Sequence, residues 1–201
     1  MGNAWSYMWK NNYIRIIILG ALLTGIGFLL DNMVARFLSG LHTVFLIAFF
    51  SILTMLGNIE VFLALVIIIS VVFIAHKKRL EGFWLSIVSS LVINTLLKLI
   101  FLRQRPYESL GIASIINTTW SSFPSGHAMI MFCTLPFLIK NFPAQKIYFW
   151  TIAVLVALSR IYLNVHYLSD IIAGAFLGYL IGKISLGLEK RISWRKHDRP
   201  V

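Results

Sequence analysis

A polar break between two apolar segments carries residue types suited to binding an anion. Phe123, Pro124, Ser125, Gly126 and His127 follow one another there. Proline is favoured in the first turn of a helix, and glycine lets a ligand approach the backbone closely. The pattern predicts a helix that begins near Pro124 and directs the N–H groups of Ser125 and Gly126 at a phosphate. His127 would stand on the first turn, where it can transfer a proton near neutral pH.

Two residues further along the chain have the spacing of a nucleophile and its orienting carboxylate. Asp170 follows His166 by four positions, so on one continuous helical turn the two side chains would share a face. A neutral imidazole can attack phosphorus and form a phosphohistidine, while a carboxylate fixes its tautomer and stabilises the imidazolium. His127 would then be the general acid that protonates the leaving alkoxide and later activates water. A buried ion pair between two helices is the alternative explanation for His166 and Asp170.

Three cations stand at the ends of neighbouring apolar segments. Lys98 precedes Arg105 by six intervening residues, and Arg160 precedes His166 by five. Positive charge stabilises the transition state of phosphoryl transfer, so we expect these three side chains to clamp the phosphoryl oxygens. Pro106 disfavours helix at Arg105, and the helix that carries Lys98 is therefore expected to break there.

Other polar residues are assigned minor roles. Arg36 and Arg103 are expected to extend toward lipid headgroups, and loss of Arg103 is expected to change activity little. Ser159 and Asn164 are candidates for supporting the site indirectly. No cluster of Cys, His and carboxylate residues has metal-ligand spacing, so we predict neither a metal nor another cofactor. The remaining histidines lie in loops or in the basic tail: His42, His76 and His197.

Taken together, these motifs resemble the three-part signature of the type-2 phosphatidic acid phosphatase superfamily of membrane lipid phosphatases. The matching positions are Lys98, Arg105, Pro106, Pro124, Ser125, Gly126, His127, Ser159, Arg160, His166 and Asp170. The resemblance is closest to the small bacterial members, such as the phosphatidylglycerophosphatase B-like and undecaprenyl-diphosphatase-like enzymes. The resemblance implies the same division of roles between His166 and His127.

The composition indicates a membrane protein of one domain, covering residues 1–201. Hydrophobic residues make up 59% of the chain and charged residues 12%, and the mean hydropathy is +0.84. We predict an all-α, six-helix transmembrane bundle. The stretch from Thr43 to Gly57 is short for a hydrocarbon core of about 30 Å, so we expect it to form an interfacial or re-entrant helix before the second span. The predicted spans are 14–30, 59–75, 83–100, 124–139, 146–163 and 168–188.

The net charge of +11 is explained by loops rather than by a nucleic-acid partner. Most of the 18 basic residues fall on one face if the N-terminus is placed inside. This arrangement predicts a multi-pass cell-membrane protein with cytoplasmic termini and a site at the outer face. Membrane lipids and a lipid phosphate are the expected partners, and no obligate protein partner is inferred.

The expected activity is metal-independent hydrolysis of a lipid phosphomonoester. Phosphatidylglycerophosphate is the first choice, and undecaprenyl diphosphate is the alternative because three cations also suit a diphosphate. A transporter is a more distant alternative, although it would distribute charges through the spans rather than at one depth. A non-enzymatic lipid-binding relative would lack a catalytic residue, and every signature residue is present.

The predicted topology can be tested by labelling single cysteines in intact cells. A cysteine placed near Lys78 should be shielded from an impermeant thiol reagent, whereas one placed near Gly111 should be labelled. The reverse pattern would place the site in the cytoplasm.

Overall fold

The computed structural model describes residues 2–113, 115–116 and 120–197, with side chains over 13–113, 115–116 and 120–189. Over these ranges the secondary structure is helical, without strands. A short 3₁₀ turn, Pro143–Gln145, precedes the seventh α-helix. The α-helices are α1 (Gly2–Ser39), α2 (Val44–Met55), α3 (Ile59–Ala75), α4 (Glu81–Phe101), α5 (Pro106–Leu110), α6 (Gly126–Asn141), α7 (Lys146–Tyr162) and α8 (Leu168–His197).

Several of these helices are long and apolar enough to cross a membrane. In the described part of the chain there are four: Tyr13–Ser39, Glu81–Leu110, Pro143–Tyr162 and Leu168–Glu189. Helices α2 and α3 meet at a 52° bend, and taken together they are also long and apolar enough to cross a membrane, either as a broken span or as a re-entrant loop. Large apolar side chains such as Leu29 and Ile100 are exposed on these helices, as contact with lipid requires. The chain is therefore an all-helical multi-pass membrane protein, while the six-span count and the interfacial position of α2 stay predictions.

One helix end differs clearly from the sequence-based prediction. Helix α1 continues to Ser39 instead of ending near residue 30, so Asp31 lies inside the helix and is only 2% exposed. Helix α4 ends at Phe101, one residue beyond the predicted span 83–100, and Leu102 then takes a left-handed conformation with φ 43°. Arg105 is extended, with φ −83° and ψ 158°, as the following proline requires.

Helices α6 and α8 form the most extensive helix pair in the bundle. Gly174, Gly178 and Gly182 lie one turn apart on α8, and a side chain at any of them would collide with a backbone carbonyl of α6. Small residues at this spacing let two membrane helices approach closely, and van der Waals packing then holds them together. The close approach brings the first turn of α8 against the first turn of α6, where the backbone N–H of Ser125 donates to the carbonyl of Asp170 at 3.0 Å.

The ends of four helices converge at one end of the bundle. The C-terminal ends of α4 and α7 and the N-terminal ends of α6 and α8 lie there. Backbone hydrogen bonds join the segments at this end, as between the N–H of Ser122 and the carbonyl of Arg103 at 2.8 Å. The bend between α2 and α3 reaches the same region through Thr54, which contacts Arg160. The signature residues are therefore gathered at a single depth.

Candidate active site

His166 lies in the short turn between α7 and α8 and is 3% exposed. The turn is held from α7, because the carbonyl of Arg160 accepts the backbone N–H groups of Val165 and His166 at 3.1 and 3.2 Å. The ring Nδ1 of His166 lies 3.4 Å from Oδ2 of Asp170 and 3.4 Å from the hydroxyl oxygen of Ser122. With Nδ1 facing the carboxylate, Nε2 is the ring nitrogen left to contact a substrate.

Asp170 lies in the first turn of α8, is fully buried and has several hydrogen-bond partners. Its Oδ2 accepts hydrogen bonds from the hydroxyl of Ser122 and, at 2.9 Å, from the backbone N–H of Tyr167. The sequence placed His166 and Asp170 on one helical turn, whereas His166 precedes the helix. Their contact is kept because the turn folds back over the start of α8. At 3.4 Å the contact is longer than a strong charge-assisted hydrogen bond, and such catalytic contacts commonly tighten when substrate binds.

The three signature cations lie around His166, and none has a carboxylate partner among the described side chains. Arg105 is 4% exposed, and its guanidinium donates to the carbonyls of Trp120 at 2.9 Å and Val165 at 2.6 Å. Arg160 is also 4% exposed and donates to the hydroxyl of Thr54 at 2.6 Å, while its Nε has no hydrogen-bond partner within the part of the chain that the structure describes. Lys98 donates to the carbonyl of Ser121.

Among the described side chains, none of these three cations forms an ion pair within 4.0 Å. Leaving a buried charge unpaired costs several kcal/mol by general estimates, so the grouping requires an anion to compensate it. A phosphate would supply that charge, and the planar guanidinium of Arg160 could offer it bidentate hydrogen bonds.

Burial, and then the same cations, keep His166 neutral. Burial, together with the positive charges of Arg105 and Arg160, holds the pKa of the His166 imidazole well below its usual range. A neutral imidazole retains the lone pair that nucleophilic attack requires. The electrostatics therefore match the predicted role of His166.

The start of α6 departs from the prediction in two ways. The helix begins at Gly126 with Ser125 as its N-cap, so Pro124 lies before the helix rather than in its first turn. The N–H of Ser125 is occupied by the carbonyl of Asp170, and its hydroxyl oxygen caps the N–H of Ala128 at 3.5 Å. The expectation that Ser125 directs its N–H at phosphate is therefore wrong. Ser125 fixes the helix start instead, and the N–H of Gly126 stays the candidate phosphate donor of the pair.

His127 lies on the first turn of α6 beside a cavity of about 430 Å³. Its Nε2 is 3.1 Å from the side-chain oxygen of Asn58, which precedes α3. Gly57 leaves room for the imidazole, since a side chain at Gly57 would collide with it. The cavity is lined by Gly57, Asn58, Ile59, Glu60, Leu91, Asn94, Gly126, His127 and Ile130.

Arg103 corrects the sequence-based expectation most clearly. It was expected to extend toward headgroups, but its guanidinium lies 2.6 Å from Asp170 and 2.6 Å from Asp31. The expectation missed this arrangement because Asp31 lies far away in sequence and was placed outside the first span. One signal was available in the sequence, since an acidic residue next to an apolar span is costly in lipid unless a cation pairs with it.

The polar residues given minor roles lie near the site without entering it. The hydroxyl of Ser159 donates within its own helix to the carbonyl of Val156 at 2.6 Å. Asn164 braces the turn before His166 by donating to Ser39 and to the carbonyl of Ala113, at 3.0 and 3.1 Å. His42 lies 2.7 Å from the carbonyl of Tyr162, while His197 falls outside the described side chains.

Comparison with known proteins agrees with this geometry. The model of the PAP2 superfamily matches residues 80–194, more than half of the chain. The chain belongs to the PAP2 superfamily. Phosphatidylglycerophosphatase B of Bacillus subtilis is 32% identical over 153 residues, which are 70% of this chain and 73% of that protein. An undecaprenyl-diphosphatase of Sulfolobus acidocaldarius is 32% identical over 111 residues, which are 52% of each chain.

A solved structure extends the likeness to the fold. The transmembrane PAP2-type phosphatidylglycerolphosphate phosphatase of Bacillus subtilis superposes with a TM-score of 0.76 at 25% identity. The match covers 90% of this chain and 96% of that one. PAP2 relatives of this chain are phosphomonoester hydrolases, and the chain is a membrane phosphatase of that superfamily.

The PAP2 cation cluster gives a direct prediction. Arg160→Ala and Arg105→Ala should each lower kcat by about 10²–10³, as for the removal of one transition-state donor. Arg160 is the sharper test, because Arg105 also holds backbone carbonyls. Phosphate release from a lipid phosphate in detergent measures the loss. Arg36→Ala, which removes an exposed cation from α1, is the matched control and should retain wild-type kcat. Equal activity of Arg160→Ala and Arg36→Ala would contradict the assignment.

Proposed function

We propose that this protein hydrolyses a lipid phosphomonoester through a phosphohistidine on His166. Nε2 of His166 attacks phosphorus, the bond from phosphorus to the ester oxygen breaks, and His127 donates a proton to the departing alkoxide. Water then attacks the phosphohistidine while His127 takes its proton, the P–N bond breaks, and neutral His166 and inorganic phosphate result. The observation that carries the proposal is the group of three cations, without carboxylate partners, around a buried neutral histidine.

We propose phosphatidylglycerophosphate as the substrate, on the basis of the cavity beside His127. His127 must contact the leaving oxygen, so the alcohol portion of the substrate lies in this cavity. Asn58, Glu60 and Asn94 contribute its polar groups. A glycerol hydroxyl can donate a hydrogen bond to the Glu60 carboxylate or to the Asn94 side-chain oxygen. The likeness to phosphatidylglycerophosphatase B, which spans 70% of the chain, also supports this choice.

Undecaprenyl diphosphate is the second candidate, favoured by the three cations and by the likeness to an undecaprenyl-diphosphatase. Its leaving group carries a second phosphate directly beside the reacting one. In the cavity that second phosphate would lie toward Glu60, an exposed carboxylate. Repulsion between like charges near a protein surface then disfavours the diphosphate. The terminal phosphate of phosphatidylglycerophosphate is instead separated from its second phosphate by the glycerol carbons.

The two histidines give the mechanistic prediction. His166→Ala should abolish turnover and the acid-labile phosphoenzyme, because no other group replaces the nucleophile. His127→Ala should form the phosphoenzyme from a substrate with a good leaving group and hydrolyse it slowly. Rapid acid quenching with ³²P-labelled substrate measures both. His76→Ala is the control, because His76 follows α3 at the end remote from Asn58. Substantial turnover by His166→Ala would refute the proposed nucleophile.

The choice of substrate is tested by kcat/KM for the two lipids in the same mixed micelles, with and without excess EDTA. The monophosphate should be preferred, and activity should persist in EDTA. Glu60→Gln should raise the relative rate on the diphosphate roughly fivefold, as expected for removing about 1 kcal/mol of repulsion. Glu81→Gln removes an exposed carboxylate at the first turn of α4 and should leave the ratio unchanged.

Each alternative outcome points to a different error. A clear advantage for undecaprenyl diphosphate in the wild-type protein would overturn the choice of lipid and leave the mechanism intact. Faster hydrolysis of a water-soluble sugar phosphate than of either lipid would overturn the lipid-phosphatase proposal. Loss of activity on chelation, restored by Mg²⁺, would overturn the metal-independent mechanism.

A further inference from the structure

Arg103 bridges two buried carboxylates from different parts of the chain. One terminal nitrogen lies 2.6 Å from Oδ1 of Asp170, and the other lies 2.6 Å from Oδ2 of Asp31. The central carbon of the guanidinium also lies 4.7 Å from the ring centroid of Phe28 and 4.1 Å from that of Tyr167. The two ion pairs and the two ring contacts restrict the position of the guanidinium. Asp170 in turn faces His166, so the bridge ends at the proposed nucleophile.

Asp31 is anchored independently at the start of α8. Its Oδ1 accepts the backbone N–H of Ser169 at 2.8 Å, and its Oδ2 accepts the Ser169 hydroxyl at 2.6 Å. The first N–H groups of a helix have no partner within the helix, so Asp31 caps α8 from the neighbouring helix α1. Gly27 permits this approach, because a side chain there would lie 2.9 Å from the Cα of Ser169. Asp31 therefore has a fixed position relative to Asp170.

Asp31, Arg103 and Asp170 contain two negative charges and one positive charge, and this excess of negative charge favours a cationic intermediate. Two carboxylates share one guanidinium, so the group carries one net negative charge while His166 is neutral. When His166 is phosphorylated, its imidazole ring becomes cationic. The charges of Asp31, Arg103, Asp170 and this ring then sum to zero, with the phosphoryl oxygens left aside. If Asp31 lost its charge, Arg103 and Asp170 would form a neutral pair, and less of the Asp170 charge would be available to His166. In a buried site such charge changes are poorly screened.

We propose that Asp31 is a positioning residue of the reaction: by sharing Arg103 with Asp170, it keeps the carboxylate of Asp170 directed at His166 and available to stabilise the phosphohistidine. This proposal rests on the phosphohistidine mechanism proposed above. Asp31 lies outside residues 80–194, which match the superfamily model, so the family signature does not include it. Arg103 falls within that region but not at a signature position.

The test uses Asp31→Asn, Arg103→Gln and their combination in the full-length protein. Asparagine at position 31 can still accept the N–H of Ser169 through its single side-chain oxygen, but it lacks both the charge and the second acceptor oxygen that holds Arg103. Asp31→Asn should lower kcat and the single-turnover rate of phosphoenzyme formation about tenfold or more, with KM for the lipid phosphate changed less than twofold. Because Asp31 acts through Arg103, the double variant should be no slower than Arg103→Gln alone. Asn32→Ala, an exposed change in the next position of α1, is the control and should retain wild-type rates.

Arg103→Lys provides a second variant that does not depend on the folding of Asp31→Asn. Lysine keeps the positive charge but acts as a point charge that cannot bridge two carboxylates in one plane. The kcat of Arg103→Lys should lie between those of the wild type and Arg103→Gln, again with KM unchanged. Its thermal unfolding temperature in detergent should stay close to that of the wild type. A merely structural role would lower the unfolding temperature without a selective effect on kcat.

The results that overturn the proposal differ from those that overturn the mechanism. Wild-type kcat in Asp31→Asn or in Arg103→Lys would refute the positioning role, as would a double variant whose loss equals the product of the two single losses. His166→Ala is assayed in parallel. If it is inactive while Asp31→Asn is unaffected, the positioning role alone is wrong. If it is active, the phosphohistidine mechanism fails and the proposal fails with it.

Discussion

Three glycines on α8 let its backbone lie directly against the backbone of α6. Within lipid there is no hydrophobic driving force between helices, so close van der Waals contact must hold the two together. At the end of this contact the N–H of Ser125 binds the carbonyl of Asp170, and the two helix starts become one rigid unit. The general acid candidate on α6 and the carboxylate on α8 are thereby fixed relative to each other. Lys98 near the end of α4, Arg105 before α5, and Arg160 and His166 at and after the end of α7 are then positioned against this unit.

The charged side chains near His166 divide into two groups. Lys98, Arg105 and Arg160 have no carboxylate partners among the described side chains, whereas Arg103 has two. A membrane protein can tolerate such charges only where partners or a ligand compensate them. In the proposed mechanism the substrate phosphate would compensate the first group, and the imidazolium of the intermediate would compensate the second. Attraction for the substrate and stabilisation of the intermediate would then fall to separate sets of residues.

Local sequence patterns predicted the parts of this structure that depend on nearby residues. The signature residues converge, Arg105 is extended before Pro106, and His166 meets Asp170, all as expected. The errors concern contacts that sequence spacing does not encode. Whether Ser125 offers its N–H to a ligand depends on the carbonyl of Asp170, and the role of Arg103 depends on Asp31 in another helix. The break between α2 and α3 falls where the sequence placed it, between the Thr43–Gly57 stretch and the span 59–75, whereas the 52° angle of the bend is a tertiary feature.

Contacts from the bend between α2 and α3, and from Asp31 on α1, limit how the chain could be joined to parts of its relatives in a chimaera. The superfamily match begins at residue 80, yet Asp31 contacts Arg103, Thr54 contacts Arg160 and Asn58 contacts His127. A chimaera joined near residue 80 would keep every signature residue, but it would exchange the neighbours of Arg160 and His127 and one carboxylate partner of Arg103. The first three helices are therefore not a passive anchor. In a functional chimaera, the contacting residues of the first three helices should come from the same parent as their partners in the later helices.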